Sequence, residues 1–242
     1  MTPVLHHKPV HVVLVPGFWL GGWAWDEVVP ALEQAGLVPH PVTLPGMGSP
    51  SEIRRDITLA DHVEAVRSLV EDLDGKVVLV GHSGGAEVVS AVVDAVPERI
   101  SAAVYVDAFP LPAGMAVLSD LPPDQIDVPL PTWEQLESDY QASLEGIDEE
   151  GLQRFRERAV PTPARVASTP SQVSNESRRR VPVTVISTSA PAAVLQSAAQ
   201  GGEAWAAELA ALKVQYVDMP TGHWPMFSRP VDLAEAIKLA AR

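Results

Sequence analysis

The sequence predicts an α/β protein, a mainly parallel sheet flanked by helices, with a helical segment inserted between two of its strands. Short β-branched runs alternate with longer amphipathic stretches, the pattern of strand–helix–strand crossovers. Several of these runs are apolar at every position, as strands are when helices cover both faces of a sheet. The rhythm breaks once, between Pro110 and Arg180, where proline and acid accumulate.

The expected strands are Val10–Val15, Val38–Val42, Val77–Val80, Ala102–Val106, Val183–Ile186 and Val214–Val217. Between the second and third, Leu59, His62, Val63, Val66, Val70 and Leu73 fall on one helical face. Thr58 and Asp61 form a capping pair at that helix's start, and Gly75 follows its end. The last helix starts near Pro230, a residue suited to a first turn. The core is thus expected over 1–109 and 181–242, with 110–180 as a helical lid (cap) over the C-terminal edge of the sheet, where such sheets bind ligands. Within the lid one helix follows Thr132, carrying Trp133, Leu136 and Tyr140, and another carries Leu152, Phe155 and Ala159. From Asp120 to Arg158 eleven carboxylates face three arginines, more than half of the whole chain's excess. Arg178, Arg179 and Arg180 read as a solvated return from the lid.

The chain has 242 residues, 46% of them hydrophobic and 20% charged, enough to bury a sizeable core. Its formal net charge of −14 opposes nucleic acid and anionic membrane, both polyanions, so neither is an expected partner. With no cysteine, disulfides, thiolate catalysis and cysteine-ligated zinc are excluded. The stretch Met1 to Val15 is broken by His6, His7, Lys8 and two prolines, unlike a signal peptide. No apolar run approaches the ~18 residues of a membrane span, and a soluble cytoplasmic protein is expected. Oligomeric state leaves no mark on the sequence.

Gly81-His82-Ser83-Gly84-Gly85 follows the run Lys76–Val80 directly and precedes a helical stretch. A serine hydroxyl is a weak nucleophile until a tight turn projects it and a base takes its proton. Glycines on both flanks allow the strained turn and bring strand and helix backbones together. Ser83 is therefore the candidate nucleophile. Of the seven histidines, His6 and His7 lie in an expected tail, while His11, His40 and His62 sit within elements. His82 adjoins the serine but projects the wrong way to serve as its base. His223, in the loop between the last strand and the last helix, is the candidate base. The oxyanion donors are expected from the N–H groups of Gly84 and Phe18, the latter in the glycine-rich turn Pro16–Gly22. Gly17, Trp19, His82 and Trp224 are the candidate substrate-contacting residues, whereas Trp23 and Trp25 read as packing.

Five segments in order, Pro16–Trp25, Leu44–Ser49, Gly81–Gly85, Val104–Phe109 and Gly222–Met226, resemble the α/β-hydrolase superfamily, specifically the small branch of methyl-ester esterases and hydroxynitrile lyases. The resemblance covers the core and not the lid. It implies the α/β-hydrolase fold with an eight-stranded type of sheet, a Ser–acid–His triad, no cofactor or metal, and a small-molecule ester- or amide-like substrate. Hydroxynitrile lyases of the branch carry a lysine after the base and a threonine in the oxyanion turn. Trp224 and Gly17 stand there here, which argues against cyanohydrin cleavage.

The acid departs from the family pattern. Members place an Asp after the strand that follows the lid, but Ser187-Thr188-Ser189-Ala190-Pro191 has no carboxylate. Asp107, at the end of the strand after the nucleophile's helix, is the candidate replacement; Asp218 and a Ser83–His223 dyad are the alternatives. The expected function is a cofactor-independent serine hydrolase cleaving a small, largely apolar carboxylic ester through an acyl-enzyme. A lyase or carbon–carbon bond hydrolase on the same scaffold, and a ligand-binding protein without catalysis, stay open.

Overall fold

The computed structural model describes residues 8–242. The strands are β1 (Val10–Val15), β2 (Val38–Pro41), β3 (Lys76–His82), β4 (Ile100–Val106), β5 (Asp127–Val128), β6 (Thr162–Pro163), β7 (Val183–Ser187) and β8 (Val214–Asp218). The α-helices are α1 (Val29–Gln34), α2 (Leu59–Asp72), α3 (Gly85–Ala95), α4 (Trp133–Ser138), α5 (Glu149–Arg158), α6 (Ala164–Ser168), α7 (Ala192–Gly201), α8 (Ala207–Ala211), α9 (Pro225–Ser228) and α10 (Pro230–Ala240).

Six strands form the main sheet in the order β2-β1-β3-β4-β7-β8, every neighbouring pair parallel. Apolar residues, valine foremost, fill β1, β3 and β4 because both faces are covered. Val12, Leu14, Val78, Val80, Val104 and Val106 pack to one side with Trp25, Leu233 and Ile237, while Val13, Val77, Leu79 and Ala103 pack to the other with Val66, Val89 and Val92. Each such side chain removed from water contributes about 1.5–3 kcal/mol. Helix α2 begins with the expected box, Thr58 N–H donating to Asp61 Oδ2 at 2.8 Å. Its face Leu59, His62, Val66 and Val70 is buried, and α10 starts at Pro230. The resemblance implied eight strands, whereas the main sheet has six among the described residues. Only two described residues precede β1, so no strand can pair ahead of it there. The expected tail with His6 and His7 lies outside the described residues.

Between β4 and β7 the chain builds α4, α5, α6 and a two-stranded antiparallel ladder of β5 and β6. Thr132 and Gln135 close a capping box on α4, and Asp148 caps α5 through the Gly151 N–H. Helix α5 buries Phe155 completely, in ring contact with Trp133, Trp224 and Phe227. Its arginines return to the core: Arg154 pairs with Glu27, and Arg158 lies 4.7 Å from the Trp23 ring. The triple arginine corrects the sequence reading at one position. Arg178 is buried and grips Glu208 through two bonds of 2.9 and 3.1 Å, while Arg179 and Arg180 are exposed. No helix of the described residues is long and apolar enough to cross a membrane.

Candidate active site

Parallel strands deliver their C-terminal ends to one edge, and the polar residues of interest sit just past those ends. Ser83 follows β3, Asp107 follows β4, Thr188 and Ser189 follow β7, and His223 lies in the loop after β8. His223 Nε2 is 2.8 Å from Ser83 Oγ, and its Nδ1 is 2.6 Å from Asp107 Oδ2. A carboxylate only accepts, so Nδ1 carries the proton and Nε2 turns its lone pair toward the serine hydroxyl.

Three of the four non-glycine residues with positive φ among those described lie here: Trp19 at 65°, Ser83 at 48° and Asp107 at 43°. Such backbone costs roughly 1–3 kcal/mol per residue and persists only where its surroundings impose it. At Ser83 the N–H is held by Val106 O at 3.2 Å and the C=O by Ala86 N–H at 2.9 Å. At Asp107 the N–H is held by Ile186 O at 2.8 Å. Glycine is required beside the elbow, since a Cβ on Gly85 would fall 2.4 Å from Pro16 O.

The loop after β7, which lacks the family's carboxylate, grips the Asp107 side chain instead. Asp107 Oδ1 accepts the N–H groups of Thr188 at 3.0 Å and Ser189 at 2.9 Å, and Oδ2 accepts the Ser189 hydroxyl. Burial pushes the Asp107 carboxyl upward, but the hydrogen bond and electrostatic attraction to the His223 ring, with the Ser189 bonds, hold it well below the usual carboxylate range. Asp218, the alternative acid, instead accepts the Ala192 N–H at 2.7 Å at the start of α7.

His223 is fixed through its backbone as well. Its N–H donates to Ser143 O at 2.7 Å, and its C=O accepts from His82 Nε2 at 2.8 Å. His82 is fully buried, and burial together with the neighbouring His223 pushes its pKa down to about 3, so its ring is a neutral donor. Phe18 and Gly84 meet directly: a Cβ on Gly84 would fall 2.3 Å from Phe18 Cε1. Neither Phe18 N–H nor Gly84 N–H donates to another group among the described residues, whereas Trp19 N–H is taken by Thr162 Oγ1 at 2.9 Å.

Beside the elbow lies a narrow cavity of about 10 Å³, bounded by Gly17, Phe18, Leu44, Met47, Gly84 and Val88 among others. Of the four candidate substrate contacts, only Gly17 borders it. The side chains of Trp19, His82 and Trp224 also make contacts within the protein. The Trp19 indole N–H donates to Val128 O at 3.0 Å, His82 props the base loop, and Trp224 packs edge-on between His223 and Phe155. Leu44, Met47 and Thr162 were given no role from sequence. The Leu44–Ser49 segment was visible as a motif, but Thr162 carried no signal. Among the described residues no cluster of three or more His, Asp or Glu is placed to hold a metal ion.

A parallel sheet with a serine elbow and a histidine loop on one edge defines a class of protein. The chain belongs to the alpha/beta hydrolase family, which it matches over residues 12–236. Among similar proteins, it is 37% identical over 116 residues to a carbendazim hydrolyzing esterase of Nocardioides sp., covering 46% of each chain. It is 39% identical over 105 residues to salicylic acid-binding protein 2 of Nicotiana tabacum, covering 41% of this chain and 39% of that one. The matches thus span less than half the length of these relatives. In structure it superposes on an extracellular alpha/beta-hydrolase from a Paenibacillus species with a TM-score of 0.74 at 21% identity, covering 97% of this chain and 100% of that one. An Arabidopsis methylesterase gives 0.71 at 22%, covering 96% and 98%.

Proposed function

We propose that the protein is a cofactor-independent serine hydrolase that cleaves a small, largely apolar carboxylic ester through an acyl-enzyme. The observation that carries this is the continuous relay from Asp107 through His223 to Ser83, at 2.6 and 2.8 Å. Ser83 Oγ attacks the ester carbonyl as His223 Nε2 takes its proton, and Asp107 holds the imidazole in the tautomer that can do so. The N–H groups of Phe18 and Gly84 receive the oxyanion, with the N-terminus of α3 adding its positive end. His223 then returns the proton to the departing alkoxide. Water, deprotonated by the same nitrogen, attacks the acyl-enzyme and releases the acid and free Ser83.

The segment 110–180 is the lid of this reading, roofing the strand ends through α5 and the β5–β6 ladder. The apolar residues beside the elbow, Leu44, Met47 and Val88, support an apolar substrate, and relatives named as esterases support an ester over an amide. A p-nitrophenyl ester series from acetate to octanoate tests the proposal. Turnover should be present in wild type and absent in Ser83→Ala, and a fluorophosphonate should label Ser83 alone. Undiminished turnover or labelling in Ser83→Ala ends the proposal.

A further inference from the structure

Trp19 lies in the turn that carries the proposed oxyanion donor, and it is held by the inserted segment rather than by the core. Gly17 O accepts the Leu20 N–H at 3.4 Å, closing a four-residue turn in which Trp19 is third, with φ of 65°. A type II turn places glycine at that position, because a side chain there is strained. Relaxation would rotate the Phe18–Trp19 peptide and bring Trp19 back to negative φ. One hydrogen bond opposes that rotation directly and two more anchor Trp19 on either side of it, all from the β5–β6 ladder and its approach. Trp19 N–H donates to Thr162 Oγ1 at 2.9 Å, Val160 N–H donates to Trp19 O at 2.9 Å, and the Trp19 indole N–H donates to Val128 O at 3.0 Å. Thr162 is 2% exposed and Trp19 5%, so water cannot replace the hydroxyl as acceptor.

We infer that Thr162 is a positioning residue for the oxyanion site: its hydroxyl locks the Phe18–Trp19 peptide, which pins Phe18 on its C-terminal side and so keeps that residue, and the N–H it carries, turned to the carbonyl oxygen of the substrate. The inference rests on the serine-hydrolase reading above. Phe18 is in turn wedged against Gly84, so the two donors share one contact and a shift of the first disturbs the second. The consequence belongs to the transition state, where the oxyanion forms, and not to ground-state binding.

The test measures kcat and KM separately with p-nitrophenyl acetate on the full chain, for wild type, Thr162→Val, Thr162→Ser and Ser83→Ala. Valine keeps the shape and removes the acceptor; serine keeps the acceptor. Thr162→Val should lose about 10–100-fold in kcat with KM within about twofold, as expected when donors are displaced rather than deleted. Thr162→Ser should stay within about threefold of wild type. Should valine prevent folding, Thr162→Ala is read in the same way. An unchanged kcat in Thr162→Val, or an equal loss in Thr162→Ser, overturns the inference while an inactive Ser83→Ala leaves the hydrolase reading standing. Full activity in Ser83→Ala removes the reading itself.

Discussion

Asp107 and Ser189 lie on neighbouring strand ends, and Ser189 clasps the Asp107 carboxylate with both its backbone N–H, at 2.9 Å, and its hydroxyl. The loop after β7, which has no carboxylate of its own, is the cradle of one supplied by the adjacent strand.

Asp107→Asn should preserve the fold and lower kcat by ~10⁴-fold, because an amide in that cradle favours the wrong imidazole tautomer. Ser189→Ala removes one bond of the cradle and should cost far less, about threefold to tenfold, since Thr188 and the Ser189 N–H remain. Steady-state kinetics on both variants checks this, and equal losses would show that the clasp rather than the charge matters.

Glu87 gives a pH dependence of stability. Its carboxyl is 3% exposed, neither oxygen has a hydrogen-bond partner, and burial raises its pKa to about 7, an effect that proximity to the Ser171 hydroxyl offsets only in part. Glu64 and Arg67 of α2 and Asp94 of α3 border the same cleft, while Tyr105, Arg178 and Glu208 line a separate cavity. The folded pKa lies above the unfolded one. The unfolded chain therefore loses its proton first, and stability falls as pH rises from about 4.5 to about 7. The loss is on the order of 3 kcal/mol. Melting curves for wild type and Glu87→Gln should nearly coincide at pH 4 and separate in favour of the variant by pH 8; a constant offset contradicts the assignment.

Gly222 has no room for a side chain. A Cβ would fall 2.5 Å from Ser143 O and 2.7 Å from Glu145 N, and both are backbone atoms that cannot swing aside. Gly222→Ala should push the base loop away from Ser143, breaking the bond that holds the His223 N–H. Activity should drop at least tenfold even where circular dichroism shows a native fold.

Phe155→Ala should destabilise by about 3–5 kcal/mol through the cavity it leaves beneath Trp224. Trp224 backs His223, so kcat should fall as well, with denaturant midpoint and turnover reporting the two effects.

The strands and the relay were readable because their signals are local. Short valine-rich apolar runs mark buried parallel strands, and the glycines around Ser83 mark a turn with no tolerance for side chains. Asp107 could be reached by elimination once the loop Ser187–Pro191 was seen to lack a carboxylate. Thr162 could not, since it meets Trp19 across a large sequence separation and only the folded ladder brings them together. Arg178 was misread for a related reason. Aromatic and cationic side chains suit a pocket or a surface as well as a core, and only packing decides.

Asp107 leaves the sheet before the segment between β4 and β7 begins, so Ser83 and Asp107 belong to one strand–helix–strand unit, β3 to β4, and only His223 arrives from beyond it. A cut at the exposed stretch Pro122–Asp124 would divide the chain into two pieces, neither holding a complete relay. Fused to two proteins that bind each other, such halves would form a split reporter whose colour development registers the encounter.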